Sequence, residues 1–281
     1  MSDDQIIDHD SWNYSPAELP RQPKITLGPI YGVLPFTGVR SPGVPTKHLS
    51  PIGPPLAADP EAPFRVRRSH LQKMELGKSR GSSRLSFVTR LHRRAVMQEF
   101  WCASMEEAEV KKNLAAHPDV LNFKEQFTRI DFVGLDGDAS YTKIDIHVLL
   151  ASGEEVLVSV KYDEKARRQS YLAEVANIAS QCSRDVADRI VVLSRYSFHP
   201  AWRDCAEKIH YARRGWDPEA DRIVLEAAND LPPRFTLDRL IEASRLDNRA
   251  WRAAVRLIGD GDIRKHPLDR FESGLVCEVA A

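Results

Sequence analysis

The chain has 281 residues, 42% of them apolar and 28% charged, which suffices for a packed core in one large domain or two smaller ones and excludes a fibrous or wholly disordered protein. Its 40 Lys and Arg balance 40 Asp and Glu, so any case for a polyanionic partner must come from local clustering. No run approaches the roughly 18 consecutive apolar residues of a membrane span, and the start MSDDQIIDHD is acidic where a secretory signal is basic and then apolar. These features point to a cytoplasmic protein without membrane contact. The four cysteines, Cys102, Cys182, Cys205 and Cys277, form no C-x-x-C pair and the nine histidines no H-E-x-x-H, so buried free thiols are expected instead of a disulfide framework or a zinc site.

Residues 1–64 hold twelve of the eighteen prolines, a density that blocks helix interiors and central strands. This segment reads as an arm, loosely ordered, with apolar islands such as Ile30 to Leu34 that could dock on a core or a partner. From Arg65 to Arg94 ten basic residues face only Glu75, a local field that fits either a solvated hairpin surface or phosphate contact; Arg90, Arg93 and Arg94 are the DNA-binding candidates here.

Residues 65–216 read as one α/β domain. Ser104 and Glu107 stand in the S-x-x-E spacing of a capping box, which starts a helix running to about His117 and gives Glu107 a structural role in its own right. Segments 120–127, 129–135, 141–150 and 155–161 are rich in β-branched and aromatic residues and broken by turn signals, so a mostly antiparallel meander is expected. A helix over 170–182, a buried strand over 189–195 and a helix over 200–213 follow.

Residues 217–281 read as a linking helix over 218–228, two short helices capped by Thr236 and by Asp247 or Asn248, and a terminal hairpin, together a winged-helix-like module. On its second helix Arg249, Arg252 and Arg256 share one face opposite the expected core stripe of Trp251, Ala254, Val255 and Ile258. That face fits either a major groove or a solvated surface on a protein-docking module.

Alternation within 141–150 sets Asp145 and His147 on one face of their strand, and alternation within 155–161 sets Ser159 and Lys161 on one face of the next. A hairpin between them brings Asp145 close to Lys161. A lysine ending a buried strand is costly unless paired or functional, and snorkelling to solvent is the ordinary outcome. With a second carboxylate from a nearby helix, however, the set suits hydrolysis of a phosphodiester with Mg²⁺, or Mn²⁺ in its place. Carboxylate and carbonyl oxygens suit the metal, and lysine adds fixed charge where the transition state becomes more negative. His147 on the same face is read as a strand-surface histidine.

The run SMEEAEVKKNLAAHPDVLNFKEQF, followed by YTKIDIHV and VLVSVKYD, resembles the catalytic domain of the TnsA family, the endonuclease subunit of heteromeric bacterial transposases. The resemblance implies a restriction-endonuclease-like mixed sheet flanked by helices. It makes Glu107 the helix glutamate, nineteen residues before Gln126 (126 − 107 = 19), Asp145 the strand aspartate and Lys161 the catalytic lysine. Ser159 stands where that family has Glu or Gln, and Tyr162 where it often has proline. The implied metal ligands are Glu107, Asp145 and the main-chain carbonyl of Val160, with a further acid such as Glu174. The implied activity is nicking of the 5′ strands at transposon ends, alongside a TnsB-type transposase and a TnsC-type ATPase that the C-terminal module contacts. Two other functions fit the same residues: a catalytically silent DNA-binding adaptor, or a stand-alone restriction or repair nuclease.

Overall fold

The computed structural model describes residues 31–38, 41, 48–52, 62–69, 85–126 and 128–280. Most of the expected arm, and Lys73, Lys78, Arg80 and Arg84 of the basic cluster, lie outside the described residues. The chain is mixed α/β, and no helix among those residues is long and apolar enough to cross a membrane.

A short strand, β1 (Gly32–Pro35), precedes a three-stranded sheet of β2 (Val66–Arg68), β3 (Leu85–Thr89) and β4 (Met97–Cys102), in which β4 is central. Helix α1 (Met105–Ala116) follows, then β5 (Val120–Glu125) and the separate ribbon of β6 (Arg129–Val133) and β7 (Ala139–Lys143). The chain continues through β8 (Ile146–Leu150), β9 (Glu155–Val160), the single-turn α2 (Asp163–Ala166), α3 (Gln169–Gln181), β10 (Arg189–Leu193) and α4 (Pro200–Arg213). The main sheet runs β1-β10-β9-β8-β5, with β9 and β10 parallel across the α2–α3 crossover and the other neighbours antiparallel.

Every residue of β8 and β9 is buried, because helices cover both faces of the sheet. Val156, Val158, Val191 and Leu193 join the core built with α1 and α4, while Leu157, Ile190 and Val192 face α3. Glu155, inside this strand, accepts from the amides of His48 and Leu49 at 2.7 and 2.8 Å and so ties part of the Pro-rich arm to the sheet. The arm also supplies β1: its β-branched and aromatic island pairs with β10, and Pro35 is tolerated because β1 is an edge strand.

The expected strand over 141–150 breaks at Ile144–Asp145, and the expected single meander is correspondingly two sheets. Residues 139–143 pair with β6 in the ribbon, whereas 146–150 pair with β5 and β9, so the segment changes partners at Asp145.

Beyond the turn at 214–217, α5 (Pro218–Asp230), β11 (Phe235–Thr236), α6 (Leu237–Ser244), α7 (Asn248–Asp260), β12 (Ile263–Lys265) and β13 (Val276–Val279) complete the chain, with β13 central in its small sheet. Asp217 and Thr236 cap α5 and α6 through their side chains, and Gly261 ends α7 in the left-handed region at φ 84°. Gly259 lets α7 lie close on α4: a Cβ there would come within 2.7 Å of Ile209 Cγ2. One continuous apolar core includes Leu114, Val158, Ile209, Val255 and Cys277, so the expected boundary at 216–217 is a turn and not a gap in packing.

Three arginines expected on a DNA-binding surface are buried in this junction. Arg90 gives its guanidinium to the carbonyls of Arg213, Ala95 and Pro63 and lies over the Trp216 ring; burial pushes its pKa down to about 10. Arg93 pairs with Asp260 at 2.9 Å and with Asp262, and Arg256 pairs with Asp221 at 2.7 Å. Arg213, fully buried, bonds Asp260 and the carbonyls of Ala115 and Gly259. A buried guanidinium must be bonded on its fork, and these four find carboxylates and carbonyls inside the protein.

Candidate active site

Strand β9 outlasts β8. The ladder pairs Ile146 with Val158, so the two residues before Ile146 would face Ser159 and Val160 if the strand continued. The chain turns away there, and the Asp145 carboxylate takes over the ladder's work: its Oδ2 accepts from the Val160 amide at 2.7 Å, from Lys161 Nζ at 3.2 Å and from Ser159 Oγ at 3.3 Å. All three bonds end on Oδ2. The sequence-based expectation that Asp145 and Lys161 meet across the hairpin therefore matches the geometry, although through a strand end and not a ladder pair.

Lys161 Nζ also donates to its neighbour's carbonyl, Val160 O, at 2.9 Å. Burial opposes its charge, but attraction to Asp145, Tyr171 and Glu107 outweighs burial and raises its pKa above the ordinary lysine value. The lysine and aspartate side chains keep 24% and 21% of their surface, so the pair is open to a ligand on one side.

Glu107 approaches from the first turn of α1. Ser104 caps that helix by accepting from the Glu107 amide at 3.1 Å, as the spacing implies, but the Glu107 carboxylate reaches back to the Ala103 amide at 3.2 Å and not to the cap residue. Its Oε2 also accepts from the fully buried Lys111 Nζ at 2.9 Å, and Lys111 is anchored by the Trp101 carbonyl at 2.8 Å. Glu107 is thus held by structural bonds on Oε2 while its charge acts on Lys161.

Asp145 and the Val160 carbonyl are the oxygen donors beside Lys161, and Glu107 reaches the lysine through its charge; no group of three or more His, Cys, Asp or Glu among the described residues is arranged to hold a metal ion. The hydrogen bonds at the two carboxylates occupy Oδ2 of Asp145 and Oε2 of Glu107, which leaves the other oxygen of each as the candidate hard-ion ligand. Glu174, one helical turn beyond Tyr171 on α3, is exposed, and its charge acts on Tyr171.

Sequence reasoning missed Tyr171. Its hydroxyl lies 2.7 Å from Ser159 Oγ, and its ring faces the ammonium groups of Lys161 and Lys165 at 5.7 and 5.5 Å from the centroid. The signal was present: Tyr171, Val175 and Ile178 follow helical spacing, so a tyrosine heads the stripe that α3 turns toward the sheet. His147 is not a surface residue. It is 1% exposed, with Nε2 3.1 Å from Glu155 and Nδ1 2.6 Å from Thr128 Oγ1, and burial holds its pKa low against the pull of Glu155.

Of the expected DNA-binding arginines, Arg94, Arg249 and Arg252 are exposed. Arg249 is bonded to Asp217 and Glu219, and Arg252 stacks on Tyr211 and donates to its hydroxyl at 2.6 Å. Exposed Arg167 and Arg195 lie over Tyr31 and Tyr196, contacts that the sequence reading did not anticipate. Scans of the chain against protein-family models and against curated proteins returned no match.

Proposed function

We propose that the protein is a metal-dependent DNA endonuclease that hydrolyses phosphodiesters at the Glu107–Asp145–Lys161 site, on a restriction-endonuclease-like core. The observation that carries this reading is the shared strand end, where one carboxylate holds both the Val160 amide and the Lys161 ammonium. Glu107 Oε1, Asp145 Oδ1 and the Val160 carbonyl are the groups that would hold Mg²⁺ or Mn²⁺. Such an ion, when bound, polarises a phosphate and makes a coordinated water more acidic.

Within this reading the chain's own residues divide the remaining work. Lys161, kept protonated by Asp145, presents fixed positive charge to the phosphate as its negative charge grows. Asp145 fixes the lysine's position, and Lys111 fixes Glu107. The three-stranded C-terminal sheet with α6 and α7 supports the winged-helix-like assignment. Through the family resemblance the substrate is double-stranded DNA at transposon ends, with a TnsB-type transposase and a TnsC-type ATPase as partners.

The test is strand cleavage by the reconstituted system with Mg²⁺. Asp145→Ala and Lys161→Ala are expected to reduce it by at least about a hundredfold; retention of cleavage by both variants removes the proposal. The second reading, a catalytically silent adaptor, is favoured by one observation: Ser159 offers a hydroxyl where a third carboxylate would complete a metal site. It requires that Mn²⁺ binding be the same in the wild type and in Asp145→Ala.

A further inference from the structure

Ser159 lies between two groups that settle the direction of its hydrogen bonds. A carboxylate can only accept, so the Ser159 hydroxyl donates to Asp145 Oδ2 at 3.3 Å and accepts from the Tyr171 hydroxyl at 2.7 Å. The chain of bonds therefore runs in one sense, Tyr171 to Ser159 to Asp145. The same aspartate oxygen serves the Val160 amide and Lys161, so a change in the hydroxyl pair reaches both the carboxylate and the lysine. The Tyr171 ring adds a second hold, since its face is turned to the Lys161 ammonium at 5.7 Å.

We infer that Tyr171 is a positioning residue of the active site, and that the Tyr171–Ser159 hydroxyl pair orients Asp145 and Lys161. The inference rests on the nuclease reading and deepens it. Ser159 is 7% exposed and cannot reorient freely, and Tyr171 reaches it from a different element, α3, so the pair also fixes α3 against the end of β9. Burial raises the Tyr171 pKa despite the nearby lysine, which keeps the phenol protonated and donating at neutral pH.

The experiment uses the full-length protein and two readouts: Mn²⁺ affinity by electron paramagnetic resonance, and DNA cleavage in the reconstituted system. Tyr171→Phe keeps the ring and removes one hydrogen bond, so Mn²⁺ affinity should fall by about two- to tenfold, with a further loss in Tyr171→Leu, which also removes the ring. Ser159→Glu supplies a carboxylate of its own. Affinity in Ser159→Glu should therefore exceed the wild type, and adding Tyr171→Phe to it should change nothing, a rescue that a merely structural tyrosine would not give. Thermal melts of all variants exclude unfolding as the cause. Wild-type affinity in Tyr171→Phe, or an undiminished Tyr171→Phe effect in the Ser159→Glu background, overturns the inference alone. Mn²⁺ binding that is indifferent to Asp145→Ala removes the nuclease reading, and the inference with it.

Discussion

Two substitutions at Asp145 separate its structural work from its electrostatic work. Asp145→Asn keeps an oxygen that can accept from the Val160 amide, now 2.7 Å from the carboxylate, but loses the ion pair with Lys161. The pair retains about a quarter of its surface on the lysine, so its loss costs only about 1 kcal/mol. Asp145→Ala also leaves the Val160 amide, at the end of a buried strand, without its carboxylate partner, a further cost of about 1–3 kcal/mol. Urea unfolding should therefore rank wild type above Asn above Ala, with the larger gap between the two variants. The lysine gives a second check. Its folded pKa is raised, so it stabilises the protein below the unfolded value of 10.5 and loses that contribution as pH rises through the folded value. In Asp145→Asn burial acts with its main opponent gone, so a lysine NMR titration should show Lys161 releasing its proton at lower pH than in the wild type. Equal stability of the Asn and Ala variants, or an unmoved Lys161 titration, would refute the reasoning.

His210, buried between Thr89 Oγ1 at 2.8 Å and the Lys112 carbonyl at 2.9 Å, has its pKa pushed down to about 4, chiefly by burial. It is neutral when folded, so the unfolded state gains protons first and stability should fall as pH drops from about 6.5 toward 4, by at most about 3 kcal/mol from this group; an NMR midpoint near 6.5 for His210 contradicts this. Arg213→Met should cost about 3–5 kcal/mol in urea unfolding because it strips a fully buried charge network, whereas Arg94→Ala, on the surface, should stay within about 0.5 kcal/mol. The thiols of Cys102, Cys182 and Cys277 are buried, with pKa values pushed up to about 12, 11 and 12, so a thiolate-directed reagent should label them far more slowly in the native protein than in urea. Rapid native labelling of any of the three would show that its surroundings open readily.

Local chemistry was the legible part of this chain. Ser104 and Thr236 cap helices as their spacing implies, Pro200 and Pro218 open helices at the first turn, and the V-L-V-S-V run is a central strand. Alternation and the turn at 151–154 set Asp145 on the face of Ser159 and Lys161, opposite Ser159 in register, and its contact with Lys161 comes from the strand end. What the sequence hid depends on distant partners. Arg93 looked like part of a basic surface because its neighbours in sequence are basic, but its carboxylate partner Asp260 is 167 residues away. His147 looked exposed because it alternates with core residues, until the ribbon of β6 and β7 left the sheet and set Thr128 against it. The break at Asp145 was equally hidden, since both halves of 141–150 are good strand sequence and only their different pairing partners divide them.

The arginine cluster also constrains how the C-terminal helices can serve the site. For α7 to swing about the turn at 214–217, Arg93 would have to leave Asp260 and Asp262, Arg213 would have to leave Asp260 and the Gly259 carbonyl, and the close seat of Gly259 on Ile209 would open. Each step exposes an unpaired buried charge or an apolar face, and breaking even one buried pair costs about 3–5 kcal/mol. A partner that docks on α6 and α7 therefore meets a surface fixed relative to α4. Since α4 packs on α1, the helix that carries Glu107, the path from docking surface to candidate ligand runs through two packed helices without a loose joint. If the endonuclease reading holds, control by a partner on that surface would act by placing DNA or by moving α1 with its neighbours, and not by a hinge at the turn 214–217.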